Sequence, residues 1–201
     1  MIRSCRREPA RHAQAAMDAF ERLRWRYGES VGAEQYRLIV EVLWGARRVG
    51  DALALLDECE RAEKLARACV LAAEGDDAGL ATVDLRGAAS AEFACARLAH
   101  ALVGLRGAPV DGLRIYTGGA THPWSEFDAA RSPQEAVYRL LQEIGCPLPM
   151  LAFESPGAAD GGEAAGAAAG CLCTHRGEDF TRWFGAFDMG AFAESEAQPS
   201  L

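Results

Sequence analysis

The chain has 201 residues, of which half are hydrophobic and a quarter are charged, a balance typical of a globular protein. Its formal net charge is −8, and no stretch approaches the roughly 20 apolar residues that a membrane span needs. These properties argue against a transmembrane protein and against a protein that binds nucleic acid through its overall charge. Local arginines can still form a binding site.

Residues 1–73 are predicted to form helical hairpins. Apolar residues recur at helical spacing over 10–27, over about 34–47 and from about residue 51 onward, and Gly28 is a suitable C-cap for the first helix. Because the links are short, the amphipathic helices are expected to be antiparallel neighbours.

The character of the sequence changes at EGDDAG, residues 74–79, which we take as a domain boundary. In the second part, Ser132, Pro133 and Glu135 form a strong helix start, with a capping box and proline at the first helical position. The alternation of elements predicts a small α/β layer with parallel crossovers. The predicted elements are strands at 80–85, 113–117 and 148–153 and helices at 90–106 and 132–145.

Low-complexity sequence at residues 155–170 predicts a disordered insertion, because alanine and glycine cannot form a core. A fourth strand is predicted at 171–174, and the tail at 188–201 is expected to be disordered. An aromatic stripe at helical spacing predicts a final helix packed on the sheet; it consists of Phe180, Trp183, Phe184 and Phe187. The predicted fold class is therefore α+β, with helical hairpins over 1–73 and a small α/β sandwich of about four strands, two main helices and a C-terminal helix over 80–187.

The seven cysteines are an odd number and lie far apart, which is typical of a reduced, intracellular protein. The spacing of Cys171, Cys173 and His175 comes nearest to that of metal ligands, but no second ligand pair complements it, and an apolar strand of small residues accounts for it. No cluster of carboxylates appears either. The sequence therefore predicts no cofactor, with a divalent metal ion left open.

Residues 36–56, YRLIVEVLWGARRVGDALALL, resemble a pentatricopeptide (PPR) repeat. That repeat has a tyrosine early in its first helix, then a turn of small and basic residues, then a second helix rich in alanine and leucine. The matching positions are Tyr36, Ala46, Val49, Ala52 and Leu53. The preceding AAMDAFERLRWRYG, residues 15–28, resembles the second helix of another repeat. This half-repeat start favours a fragment of a longer array or a truncated gene product, and the alternative is that the hairpins only cap the SMR-like domain.

The second half resembles the small MutS-related (SMR) domain. Its motifs are VDLRG at 83–87 and YTGGATH at 116–122, about 30 residues apart across one helix. The family pattern is a Leu-Asp-x-His-Gly strand end and a Thr-Gly-x-Gly loop, which plant and algal members extend by a histidine two residues later. The two resemblances cover roughly residues 10–187, in the order found in organellar PPR–SMR proteins.

The resemblance implies an RNA-binding protein of organellar RNA processing, in the chloroplast or the mitochondrion, with SMR endonuclease activity as an open question. The implied partner is single-stranded RNA, with DNA as the alternative and with protein partners through the helical hairpins as a further option. The N-terminal MIRSCRREPARH lacks an apolar region and is too short for a convincing transit peptide. The position expected to read a base falls at Leu38, which offers no hydrogen bond to a base edge.

Carried onto this sequence, the resemblance assigns catalytic roles to Asp84, Arg86 and His122. Either Asp84 or His122 would activate the nucleophile. It assigns nucleic-acid contacts to Arg86, Gly87, Thr117, Gly118, Gly119 and Thr121. The sequence departs from the family at Arg86, which replaces the histidine, and at Ala120, which replaces the second loop glycine. Arginine stays protonated near neutral pH and cannot act as a general base, although it can hold a phosphate through two hydrogen bonds.

Three functions therefore stay open: an RNA-binding endonuclease, a nucleic-acid-binding module without activity, and a protein-interaction module. The roles of the single residues stay open as well. Asp84 is suited to capping the turn after its strand, Arg86 to a solvated surface, and His122 to a structural role in its loop. Gly118 and Gly119 are needed for a sharp turn under every one of these interpretations.

Overall fold

A computed structural model of the chain describes residues 9–72, 75, 77–117, 132–147, 171–174 and 176–188. These residues form six α-helices and a four-stranded β-sheet, so the predicted α+β class is confirmed. They divide into two compact units, a helical unit that comprises the described residues up to Arg67 together with Asp188, and a sheet unit that spans Ala68–Phe187.

The helical unit contains the three predicted helices, which are α1 (Pro9–Tyr27), α2 (Ala33–Gly45) and α3 (Val49–Arg61). Helix α2 packs against both α1 and α3. The largest fully buried side chains of the helical unit are Phe20, Ile39, Leu43 and Leu56. Where α2 ends, Arg47 adopts a left-handed conformation with φ of 60°, which turns the chain at once into α3.

The sheet has the order β1-β2-β3-β4, with β1 at Cys69–Leu71, β2 at Leu80–Asp84, β3 at Gly112–Tyr116 and β4 at Cys171–Cys173. Strands β2 and β3 are parallel, as the sequence predicted, whereas β1 and β4 run antiparallel to their neighbours. Strand β1 is a correction, because its residues lie inside the stretch predicted as helical. The chain folds back there in a short hairpin, closed by a hydrogen bond of 3.0 Å from Gly79 N–H to the Ala72 carbonyl.

Helix α4 (Ala91–Gly104) forms the crossover between the two parallel strands, and α5 (Pro133–Glu143) packs against it. Both helix starts are capped by serine. The Ser90 hydroxyl accepts from Phe93 N–H at 3.2 Å, and the Ser132 hydroxyl accepts from Glu135 N–H at 3.1 Å. The last helix, α6 (Glu178–Ala186), buries Phe180 and Phe184, so this part of the aromatic stripe packs into the core as predicted.

The two faces of the sheet differ in exposure. On one face the side chains of β2, β3 and β4 are buried; these are Ala81, Val83, Leu113, Ile115 and Leu172. On the other face Thr82, Asp84, Arg114 and Tyr116 are half-buried. Val70, which is opposite Thr82 in the register, is 68% exposed. We call this second surface the open face; it consists of Val70, Thr82, Asp84, Arg114 and Tyr116.

Three predicted segments, the strand at 148–153, the insertion at 155–170 and the tail after residue 188, lie outside the described residues. None of the helices in the described part of the chain is long and apolar enough to cross a membrane.

Candidate nucleic-acid interface at the open face of the sheet

The parallel pairing of β2 and β3 brings the ends of the two strands together. In the register, Asp84 lies opposite Tyr116, and Leu85 N–H donates to the Tyr116 carbonyl at 2.7 Å. The first motif therefore lies directly beside the end of the strand that leads into the second motif. Carboxyl ends of parallel strands are common ligand sites in α/β sheets.

The Arg86 side chain folds back onto Asp84, two residues earlier in the chain. Its Nε–H donates to Oδ1 of Asp84 at 3.0 Å, and its Nη2 donates to Oδ2 at 2.7 Å. The backbone N–H of Arg86 adds a third bond to Oδ1 at 3.0 Å. The carboxylate thus accepts three hydrogen bonds from a single residue, which fixes the orientation of both side chains.

The Arg86 guanidinium also lies over the ring of Tyr116, with Cζ 5.3 Å from the ring centroid. This distance is within the range of a cation–π contact. The arrangement stays accessible to solvent, since the side chains of Arg86 and Asp84 are 53% and 46% exposed. We call Asp84, Arg86 and Tyr116 the strand-end cluster.

The ion pair changes the acid–base properties of both partners. The hydrogen bonds from the Arg86 side chain are the main reason why the pKa of Asp84 is lowered, and partial burial opposes them only in part. The pKa of Arg86 is raised by its hydrogen bonds to Asp84. A carboxylate of lowered pKa is a weaker proton acceptor near neutral pH, so this geometry is poor for an Asp84 that activates a nucleophile.

Gly87 and Thr117 differ in their access to a ligand. Gly87 is exposed, and a Cβ atom placed there would meet no other atom within 4 Å. The fold therefore does not require glycine at this position. The open space beside Gly87 leaves room for a ligand. Thr117, by contrast, is 8% exposed and belongs to the buried part of the strand end. The other predicted site residues, Gly118, Gly119, Thr121 and His122, lie outside the described residues.

Two further residues of the open face are suited to contact a ligand and were not predicted. Tyr116 underlies the Arg86 guanidinium, and Arg114, two residues earlier on β3, lies 3.6 Å from the Asp77 carboxylate. Strand alternation could have identified both, because it places residues 114 and 116 on the same face as Asp84 once β2 and β3 are paired in parallel. Within the part of the chain that the structure describes, no group of three or more His, Cys, Asp or Glu side chains could hold a metal ion.

The helical unit contains a concave surface, a pocket of about 760 Å³ between α1, α2 and α3. Three carboxylates and two cations line it, which disfavours a polyanion; these residues are Glu21, Glu29, Glu58, Arg24 and Lys64. Leu38, the position that the PPR resemblance assigns to base reading, is 8% exposed. Its burial leaves that position unsuited to contact a base.

No protein-family model matches the chain, and neither a curated protein nor a solved structure matches it.

Proposed function

We propose that the chain is a protein of the PPR–SMR type that binds single-stranded RNA through the open face of its sheet. One observation carries the proposal. The Arg86 guanidinium is held at an exposed strand end, between the Asp84 carboxylate and the Tyr116 ring. Unpaired bases and the RNA backbone are recognised by arginine and aromatic side chains presented on a sheet surface.

The cluster favours binding over cleavage. Arg86 stands where the resembled family has a histidine, and it occupies the Asp84 carboxylate with three hydrogen bonds. Neither residue is then suited to remove a proton from a nucleophile at neutral pH. The alternative is an SMR-type endonuclease in which His122 acts as the base. A role in organellar RNA processing, in the chloroplast or the mitochondrion, rests on the family resemblance alone.

A combined binding and cleavage experiment on the full chain tests the proposal. A short labelled single-stranded RNA is titrated with protein, and the same samples are run on a denaturing gel. We expect the affinity to fall as salt rises from about 50 to 200 mM, because RNA phosphates that the protein contacts outside the Asp84–Arg86 pair release counterions. We also expect the RNA to stay intact. Duplex RNA of the same sequence is the control and should bind more weakly.

Two results would change the conclusion. Absence of RNA binding at the lowest salt concentration would reject the proposed function and leave the protein-interaction alternative. Cleavage by the wild type that is lost in His122→Ala would establish the endonuclease alternative. An Arg86→His variant should release Asp84 from its pairing with the guanidinium, and cleavage by this variant alone would identify Arg86 as the reason for an inactive site.

A further inference from the structure

Resting on the proposed function, we infer that Arg86 presents the face of its guanidinium group as a stacking platform for one unpaired nucleobase. The sequence had suggested a phosphate contact for this residue. The structure favours a base for three reasons: the donors that Arg86 uses, the charge of its surroundings, and the ring beneath it.

The hydrogen bonds of Arg86 fix its plane. A guanidinium group has five N–H donors, and two of them, on Nε and Nη2, are directed at the two carboxylate oxygens of Asp84. An arginine binds a phosphate through the same two-bond arrangement. Asp84 therefore already occupies the edge of the guanidinium that is best suited to a phosphate. The faces of the plane are not used by these bonds.

The charge of Arg86 is largely cancelled. Asp84 lies 2.7 Å from Nη2, and the pair has no net charge. A phosphate that approached the remaining N–H groups would be attracted by Arg86 and repelled by Asp84 over similar distances. The chain as a whole, at −8, adds further repulsion. Stacking of a nearly neutral base does not suffer from this repulsion.

Tyr116 supplies the lower layer of the platform. Its ring lies under the guanidinium, with 5.3 Å between Cζ and the ring centroid, and 53% of the Arg86 side chain is accessible to solvent. A base placed on the outer face would complete a stack of ring, guanidinium and base. Because Tyr116 and Asp84 are paired residues of two central strands, the two groups that hold the guanidinium are in place before the base arrives, which limits the entropy lost on binding.

The test is a cycle of two proteins and two ligands. Wild type and Arg86→Lys are each titrated with a single-stranded oligoadenylate and with an oligomer of the same backbone that lacks bases. Lysine keeps the charge but has no planar face. We expect Arg86→Lys to weaken binding of the oligoadenylate by about fivefold or more, the usual value of one stacked base, and to leave binding of the abasic oligomer within about twofold. Equal weakening of both ligands, or of neither, would overturn the inference.

The salt dependence gives an independent readout. A phosphate contact contributes about 0.7 to the slope of log affinity against log salt for a single strand, whereas a stacked base contributes almost nothing. Because the pair has no net charge, the double variant Arg86→Gln/Asp84→Asn should weaken binding of the oligoadenylate without a change in slope. A slope smaller by about 0.7 would identify a phosphate contact instead. Arg139→Lys is the control matched to Arg86→Lys, because Arg139 also forms an exposed ion pair in the sheet unit, with Glu135 at 2.9 Å. It should leave all affinities unchanged.

Failure of this inference is distinguishable from failure of the proposed function. If the wild type binds neither oligomer, the proposed function is wrong and the platform has no RNA to hold. If it binds both oligomers equally, RNA binding stands and the platform is wrong. A third arm titrates free adenosine monophosphate: an affinity equal to that of the oligoadenylate, lost in Arg86→Lys, would assign the platform to free nucleotides and reject RNA as its source of bases.

Discussion

At the scale of single residues, Arg86 determines what its neighbours can do. A histidine at this position could exchange a proton near neutral pH, whereas arginine stays charged and lowers the pKa of Asp84 through their hydrogen bonds. The Arg86 guanidinium is also a flat, exposed group over Tyr116. This side chain is therefore better suited to recognition than to acid–base chemistry.

The pH dependence of Asp84 reports this pairing directly. Its pKa is lowered chiefly by hydrogen bonds from the Arg86 side chain, so Arg86→Gln should return the Asp84 pKa toward that of an ordinary aspartate. A lowered folded-state pKa contributes stability above the unfolded-state pKa and loses it as pH falls through the folded-state value. Because the pair is half-exposed, this contribution should stay below about 1 kcal/mol.

A carboxyl NMR titration of wild type and Arg86→Gln measures the two Asp84 midpoints. Arg139→Gln, which breaks the exposed Arg139–Glu135 pair, should leave the Asp84 midpoint where it is in the wild type. Identical Asp84 midpoints in wild type and Arg86→Gln would show that the ion pair does not persist in solution.

At the scale of elements, regular patterns were predictable and side-chain geometry was not. The helix beginning at Ser132 followed from its capping residues, and the parallel pairing of β2 and β3 followed from one crossover helix. Strand β1 was missed because three residues are too few to show a period, and pairing with β2 decides its conformation. The strand-end cluster was predicted only in part. Asp84 and Arg86 were named, but their ion pair and the ring of Tyr116 depend on rotamers that no sequence pattern reveals.

The three helices of the first unit share a polar link that can be tested. Glu58 on α3 accepts from the Tyr36 hydroxyl on α2 at 2.7 Å and from Arg24 on α1 at 2.9 Å. Burial and the hydrogen bond to Glu58 raise the pKa of Tyr36 to about 12. Tyr36→Phe should cost about 1–2 kcal/mol of unfolding free energy at neutral pH, because a partly buried carboxylate loses a donor.

The effect of Tyr36→Phe should also depend on pH, with a defined sign. A raised folded-state pKa gives stability that is present below the unfolded-state value of 10.0 and is lost as pH rises toward about 12. The difference in unfolding free energy between wild type and Tyr36→Phe, measured by urea unfolding, should therefore shrink across that pH range. Tyr27→Phe, at a position that is 52% exposed, is the control and should change stability little at any pH. A difference that stays constant with pH would mean that Tyr36 ionises normally.

At the scale of the whole molecule, the net charge of −8 requires that any RNA contact be local. The two units offer different surfaces for it. In the sheet unit, the strand-end cluster combines Arg86 with Tyr116, and the ion pairs at the open face are balanced in charge. The pocket of the helical unit has an exposed tryptophan, Trp25, but one more carboxylate than cation. Electrostatics therefore favours the sheet unit.

The excess of carboxylates in the pocket makes Trp25 a poor site for RNA. The residue is 91% exposed, so Trp25→Ala should leave the fold intact and should change the affinity for single-stranded RNA by less than about twofold, whereas Arg86→Lys should cost about fivefold or more. Lys64, one of the two cations that line that pocket, already donates to the carbonyls of Glu29 and Val31, at 3.0 and 2.5 Å, and is poorly placed to attract a phosphate. Parallel RNA titrations of Trp25→Ala and Arg86→Lys measure the two losses of affinity. A larger loss in Trp25→Ala would move the main RNA surface to the helical unit, where the resemblance to PPR repeats, and not the sheet, would then explain binding.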